Sequence, residues 1–213
     1  MSLLSIHKQL MREGMSYTGA LAMVANMDAE SALRANNLQD SYNAAWGITD
    51  EEYCERANNA RKTHGDKSFA NDNAGFGLYQ LTDASRKRGY YAVAVDQWGV
   101  PVEDEECQTW YCCYEMKTQY AGLWAYLQRI DCDLETAVRR ICREFERPKV
   151  DNSGYRYKRA LARKDELAQL YAAEKTPPTP AKNDGINYTV LADRFKVLAS
   201  EFADLAALFE KTK

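Results

Sequence analysis

Two stretches of the sequence combine residue types suited to acid catalysis on a sugar bond. Residues 23–31 read Met-Val-Ala-Asn-Met-Asp-Ala-Glu-Ser and place Glu30 at the end of an apolar helical stretch. Residues 75–80 read Gly-Phe-Gly-Leu-Tyr-Gln, an apolar run with two glycines. A general acid must keep its proton near neutral pH, and apolar surroundings and a helix C-terminus both disfavour the ionised form of a carboxyl. Glycines let a backbone approach a bulky sugar ring. The two stretches together indicate glycoside hydrolysis with Glu30 as the general acid.

The order of these motifs also resembles a known group of proteins. Glu30-Ser31 followed by the run 75–80 is similar to the Glu-Ser and Gly-Leu-x-Gln motifs of the lysozyme superfamily, which includes goose-type lysozymes and lytic transglycosylases. The position of Asn26, four residues before Glu30, and the later segments 108–111 and 145–148 are similar to phage-tail-type lysozymes and phage endolysins. The resemblance implies a lysozyme-like helical domain that cuts the N-acetylmuramic acid–N-acetylglucosamine bond of bacterial peptidoglycan.

The second catalytic group is less defined by the sequence. An inverting glycosidase needs a carboxylate about 6.5–9.5 Å from its acid to activate water. Because goose-type lysozymes place an acidic residue near the glycine-bearing run, the resemblance makes Asp72 the first candidate, with Asp83 second and Asp40 third. Each could instead be a cap or turn residue, and Asp83 in particular is typical of a helix N-cap. A lytic transglycosylase works with one glutamate, since a hydroxyl of the sugar attacks, and this reaction stays an alternative.

We expect most substrate contacts to come from the glycine-bearing run. The expected contacts are the side chains of Tyr79, Gln80 and Thr82 and the backbone at Gly75 and Gly77, which would hold an N-acetyl group, with Tyr155 as a weaker candidate. The 14 tyrosines and 4 tryptophans are compatible with carbohydrate binding, although core packing explains most aromatic residues equally well.

Composition limits the function classes. The chain has 213 residues, of which 46% are hydrophobic, enough for one folded domain with an appendage. Its 28 basic and 31 acidic residues leave a net charge of −3, which does not suggest nucleic-acid binding. No apolar stretch has membrane-spanning length, and residues 1–12 lack the pattern of a secretion signal. We therefore expect synthesis in the host cytoplasm and action on the cell wall after release, as in phage lysis.

The residues needed by rival wall-degrading chemistries are scarce. The six cysteines form no pair of Cys-x-x-Cys knuckles, and the histidines are limited to His7 and His64. A zinc amidase needs clustered histidine ligands, and a Cys–His peptidase needs a histidine after its cysteine, an order that Cys54 alone satisfies. The sequence therefore predicts no metal and no cofactor. Without an export signal, reduced thiols are expected.

Periodicity predicts a mainly α fold with at most a small β-hairpin. Ser16, Thr49 (with Glu52 as a capping box) and Asp133 are predicted to begin helices. Residues 34–49 and 62–71 are interpreted as loops, and 76–81 as a short strand or an extended turn. The segment 36–70 is longer than the usual spacer in the family, which indicates either a lip over the cleft or a tolerated surface insertion.

Three regions are predicted along the chain. Residues 1–173 form the catalytic domain, and 174–185 form a proline-rich linker. Residues 186–213 carry apolar residues at heptad spacing, which predicts a separate amphipathic helix. This helix would bury its apolar stripe in a homo-oligomer, against the catalytic domain or on a partner. A further possibility for the whole chain is a structural phage tail component that has kept the fold and lost catalysis.

Overall fold

A computed structural model describes residues 3–175 of the protein. These residues form a mainly helical domain with one small antiparallel hairpin, which confirms the predicted fold class. The helices are α1 (Leu3–Arg12), α2 (Tyr17–Ser31), α3 (Asp40–Trp46), α4 (Asp50–Ala60), α5 (Ala84–Tyr91), α6 (Glu105–Gln119), α7 (Ala121–Leu127), α8 (Leu134–Arg140) and α9 (Ser153–Lys175). The hairpin strands are β1 (Lys62–His64) and β2 (Lys67–Ser68). The predicted helix 186–213 and most of the predicted linker lie outside the described residues.

Helix α2 is the centre of the domain. Its side chains from residue 19 to residue 28 are all buried, and it packs against α1, α7 and α8. The helix begins as predicted at Ser16, whose Oγ accepts a hydrogen bond from the Gly19 N–H at 3.0 Å. Gly19 lies so close to the Leu127 backbone that any side chain there would overlap the carbonyl. Ala32 then adopts the left-handed conformation (φ 53°) and ends the helix, which puts Glu30 in its last turn.

The long segment between α2 and the glycine-bearing run has more structure than expected. Helix α4 begins at the predicted capping box, in which Thr49 and Glu52 exchange hydrogen bonds of 2.9 and 3.1 Å. The predictions of loops over 34–49 and 62–71 were wrong, because α3 lies within the first and the hairpin within the second. In the hairpin, Lys62 pairs with Ser68 and His64 pairs with Lys67.

Residues 76–81, predicted to be a short strand or an extended turn, form no strand. Phe76 makes one isolated antiparallel bridge with Leu38. The backbone then turns, because Gly77 (φ 76°) and Gln80 (φ 49°) both have positive φ angles that are incompatible with extended chain. The run is therefore a compact loop against residues 37–39, where Gly77 N–H donates to the Asn37 carbonyl at 2.9 Å.

Two α-helices continue into π-helical segments. Helix α5 continues through Ala92–Trp98, and α8 continues through Ile141–Glu146. The predicted N-cap Asp133 is confirmed for α8, since its side chain accepts from the Thr136 N–H at 2.9 Å. Single π-helical turns are frequent at functional sites. Here the second segment ends where the chain reaches the cleft described below.

Helix α9 is joined to the central helix by charged groups. Asp28 of α2 is buried and accepts hydrogen bonds from Arg159 at 2.6 Å and from Arg163 at 2.9 Å. Arg156, one turn earlier on α9, is also buried. These contacts fix α9 beside the end of α2 that carries Glu30.

Candidate active site

The two stretches selected from the sequence meet in space. The Ser31 hydroxyl donates to the Leu78 carbonyl at 3.0 Å and so ties the end of α2 to the glycine-bearing run. The same run is held from its other side, where the Gln39 N–H donates to the Gly75 carbonyl at 2.9 Å. Ser31, the residue after Glu30, therefore links the Glu-Ser and Gly-Leu-x-Gln motifs and positions Glu30 beside the run.

A cleft of about 560 Å³ opens at this junction. Glu30 lies in it with 20% of its side chain exposed, so the carboxyl is sheltered but accessible. Two of the expected substrate-contacting residues, Gln80 and Thr82, line the same cleft. The other lining residues are Asn37, Gln39, Asp40, Glu146, Arg147, Pro148 and Lys149. The lining is polar, as is suitable for a ligand rich in hydroxyl and amide groups.

Glu30 is paired with a buried arginine. Arg156 of α9 forms an ion pair with Glu30 Oε1 while only 2% of the arginine side chain is exposed. Asn26 and Asn152 hold the guanidinium from two other directions, at 3.2 and 2.7 Å. Asn26, noted in the sequence for its spacing from Glu30, is therefore connected to Glu30 through Arg156. This fixed cation can stabilise the carboxylate that remains when Glu30 gives up a proton.

A second carboxyl of the cleft, Glu146, was missed by sequence reasoning. It is the last residue of the π-helical segment after α8 and contributes to the cleft lining. Burial and the negative charge of Glu30 raise the pKa of Glu146 to about 8, against the opposing effect of Arg156. The one available signal was its place before Arg147-Pro148, since a helix usually ends near a proline and Glu146 is therefore at a helix end.

Asp72, the first candidate for the catalytic base, is placed elsewhere. It is fully buried in an ion pair with Lys87 and accepts hydrogen bonds from the hydroxyls of Tyr53 at 2.8 Å and Thr63 at 2.6 Å and from the Ala74 N–H at 3.0 Å. It does not line the cleft, and its oxygens are occupied by protein groups. Burial lowers the pKa of Lys87, and the charge of Asp72 opposes that shift. This geometry corresponds to a structural ion pair and does not support the expected role of base.

Asp83, the second candidate, caps a helix. Its Oδ1 accepts from the N–H groups of Ser85 at 2.8 Å and Arg86 at 3.2 Å at the start of α5. Hydrogen bonds from the Ser85 hydroxyl and from these two backbone groups hold the pKa of Asp83 below its ordinary value. Asp83 is not among the lining residues of the cleft. Asp40, the third candidate, does line the cleft and is exposed, so its carboxylate can contact water there.

The remaining predicted contacts do not reach the cleft surface. A Cβ on Gly75 would overlap the Gln80 side chain, so this glycine makes room for a cleft residue. Gly77 lies against Gln108, which accepts from the Leu78 N–H at 2.8 Å. Tyr79 is buried and donates to Glu115 at 3.2 Å. Tyr155 is 51% exposed, and its hydroxyl accepts from Arg159 Nε at 2.8 Å.

The cysteines and histidines within residues 3–175 lie apart from the cleft. This region contains no group of three or more His, Cys, Asp or Glu side chains arranged to hold a metal ion. All six cysteines are buried and free. Burial raises the pKa of Cys113 to about 12 and that of Cys107 likewise, so these thiols stay protonated at neutral pH. None of the helices described is both long and apolar enough to cross a membrane.

Comparison with other proteins places the chain in a family. No curated protein and no solved structure shows significant similarity to it. The sequence model of the phage tail lysozyme family matches residues 3–171, which is most of the chain. This match covers Glu30, the glycine-bearing run and Glu146 together. The protein therefore belongs to the phage tail lysozyme family and is a lysozyme-like phage protein that acts on peptidoglycan.

Proposed function

We propose that the protein is a muramidase, which hydrolyses the N-acetylmuramic acid–N-acetylglucosamine bond of peptidoglycan with Glu30 as the general acid. The observation that supports this most strongly is the sheltered Glu30 carboxyl in an open polar cleft that it shares with Gln80 and Thr82. Glu30 is a carboxylate in its ion pair with Arg156, so it takes up a proton from solvent before the reaction. It then gives this proton to the glycosidic oxygen as the bond to the sugar breaks. Arg156 then stabilises the resulting carboxylate through the ion pair that already exists.

Asp40 is the proposed partner of Glu30. An inverting mechanism requires a carboxylate that can draw a proton from water as this water attacks the sugar. Asp72 and Asp83 are engaged in an ion pair and a helix cap, respectively. The exposed carboxylate of Asp40 is in the cleft and in contact with solvent. It replaces Asp72 as the preferred base.

The test is the Glu30→Gln variant. It removes the transferable proton while keeping the shape of the side chain, and we expect lysis of purified cell walls to fall by at least about 100-fold. Glu166→Gln is a matched control because Glu166 also pairs with an arginine of α9, Arg163, but does not line the cleft. Melting curves of both variants establish that they fold.

Two results would contradict the proposal. Equal lysis by the Glu30→Gln variant and the parent would remove Glu30 from the mechanism. Mass spectrometry of the released muropeptides separates the reaction types: reducing ends indicate hydrolysis, and anhydro ends indicate a lytic transglycosylase. A parent protein without any lytic activity would instead support a structural tail component.

A further inference from the structure

Glu146 has a carboxyl oxygen for which residues 3–175 supply no hydrogen-bond partner. Oε1 of Glu146 is buried, and none of the described protein groups forms a hydrogen bond with it. Buried polar atoms are nearly always hydrogen-bonded, so an exception calls for an explanation such as a functional role. Because Glu146 also lines the cleft beside Glu30, the simplest partner is a bound ligand.

Burial, together with two negative neighbours, keeps this carboxyl un-ionised. Four charged groups on four helices face it: Glu30 on α2, Arg86 on α5, Glu115 on α6 and Arg156 on α9. The two guanidinium groups are already engaged, since Arg86 binds both oxygens of Glu115 at 2.8 and 2.9 Å and Arg156 pairs with Glu30. Burial and the two negative neighbours therefore dominate, and they raise the pKa of Glu146 to about 8.

We propose that Glu146 is a substrate-binding residue of the cleft, whose un-ionised carboxyl group donates a hydrogen bond to an acceptor oxygen of the glycan, either a hydroxyl or an acetamido carbonyl. This inference rests on the proposed function and extends it by one residue. A carboxylic acid held neutral at the working pH is an effective hydrogen-bond donor in an enclosed site. A neutral oxygen of the sugar fits this position, because a ligand carboxylate placed against Glu146 would be repelled by the neighbouring Glu30.

Two substitutions separate hydrogen bonding from shape. Glu146→Gln keeps a donor, the amide N–H, and cannot ionise. Glu146→Met keeps the length of the side chain and removes the donor. Glu144→Gln is the control, since Glu144 is on the same π-helical segment, is paired with Arg140 and does not line the cleft. The ligand is N-acetylglucosamine trisaccharide, with binding measured by titration calorimetry at pH 6.5 and pH 9.

The expected pattern has three parts. At pH 6.5, Glu146→Met binds the trisaccharide about tenfold more weakly than the parent, while Glu146→Gln stays within about twofold, as expected for one hydrogen bond. From pH 6.5 to pH 9 the parent loses about tenfold in affinity as Glu146 ionises. Glu146→Gln does not show this loss, and Glu144→Gln behaves as the parent does.

Several outcomes would overturn the proposal: parent-like binding by Glu146→Met, binding by Glu146→Gln as weak as that of Glu146→Met, an unchanged pH dependence in Glu146→Gln, or no binding of the trisaccharide by the parent. The proposed function is judged separately by lysis. A parent and a Glu30→Gln variant that lyse walls equally, together with the expected binding pattern, would refute the assignment of Glu30 and leave that of Glu146 standing.

Discussion

The buried carboxyl of Glu146 makes a prediction about stability that is independent of catalysis. In the unfolded chain Glu146 ionises near its ordinary pKa of 4.5, whereas in the folded protein its pKa is about 8. Between these values the unfolded state loses a proton that the folded state keeps. Ionisation therefore favours the unfolded state, and the parent protein loses stability as the pH rises from 4.5 to 8. Glu146→Gln removes this loss, because glutamine does not titrate.

The size of the effect follows from the pKa difference. One pKa unit corresponds to about 1.4 kcal/mol, so the whole interval would give about 5 kcal/mol if the carboxyl were completely shielded. Since the cleft is open to water, which screens part of this cost, we expect Glu146→Gln to be about 3 kcal/mol more stable than the parent at pH 8. For a domain of this size that corresponds to a rise in Tm of about 6–12 °C. At pH 4 the Glu146 side chain is as neutral as the glutamine of the variant, and we expect little difference in stability between the two proteins.

The assay is urea unfolding of parent and variant at pH 4, 6 and 8, followed by circular dichroism. Glu144→Gln is again the control, since its partly exposed pair with Arg140 should contribute less than about 1 kcal/mol at any pH. If the stability difference between Glu146→Gln and the parent did not increase from pH 4 to pH 8, the neutral state of Glu146 would be refuted. A gain of the same size at all three pH values would attribute the effect to packing.

Three further predictions concern the other groups of the site. Asp72→Asn leaves Lys87 buried without its counter-charge and should lower the free energy of unfolding in urea by about 3–5 kcal/mol; lost lysis with unchanged stability would instead restore Asp72 as a catalytic base. Asp40→Asn should reduce the turnover of cell-wall hydrolysis about 100-fold or more without changing Tm, and unchanged turnover would remove Asp40 from the mechanism. Gly77→Ala should lower stability by about 2 kcal/mol in thermal melts, because its φ of 76° is strained for alanine and its Cβ would overlap Gln108; an unchanged Tm would show that the loop can relax.

Local signals predicted three helix starts correctly. Ser16, Thr49 and Asp133 were selected as N-caps from residue type alone, and each accepts the expected backbone hydrogen bond. Such caps depend on groups two or three residues away, so the sequence contains all the information needed. The proximity of Glu30 to the run 75–80 was predicted by a different route, the resemblance in motif order, since no local rule brings residues 45 positions apart together.

The burial and the partners of individual carboxyl groups could not be predicted from local sequence in this way. Asp72 has the residue type and position of a catalytic base, but Lys87 on a later helix neutralises it in the interior. Glu146 has no distinctive local pattern, yet burial and charged groups on four helices decide its ionisation. In both cases the deciding groups are distant in sequence, so only the folded structure shows which of them lie beside the carboxyl.

The long segment 36–70 shows how those distant contacts build the cleft. Three of its residues, Asn37, Gln39 and Asp40, line the cleft, which agrees with the expectation of a lip more closely than with a surface insertion. Its helix α4 and strand β1 also supply the Tyr53 and Thr63 hydroxyls that bind Asp72. Asp72 lies three residues before the glycine-bearing run, so this buried network holds the start of the run, while residues 37–39 bind the run through backbone hydrogen bonds. The segment therefore contributes to the site in two ways: some of its residues line the cleft, and others form the buried network around Asp72.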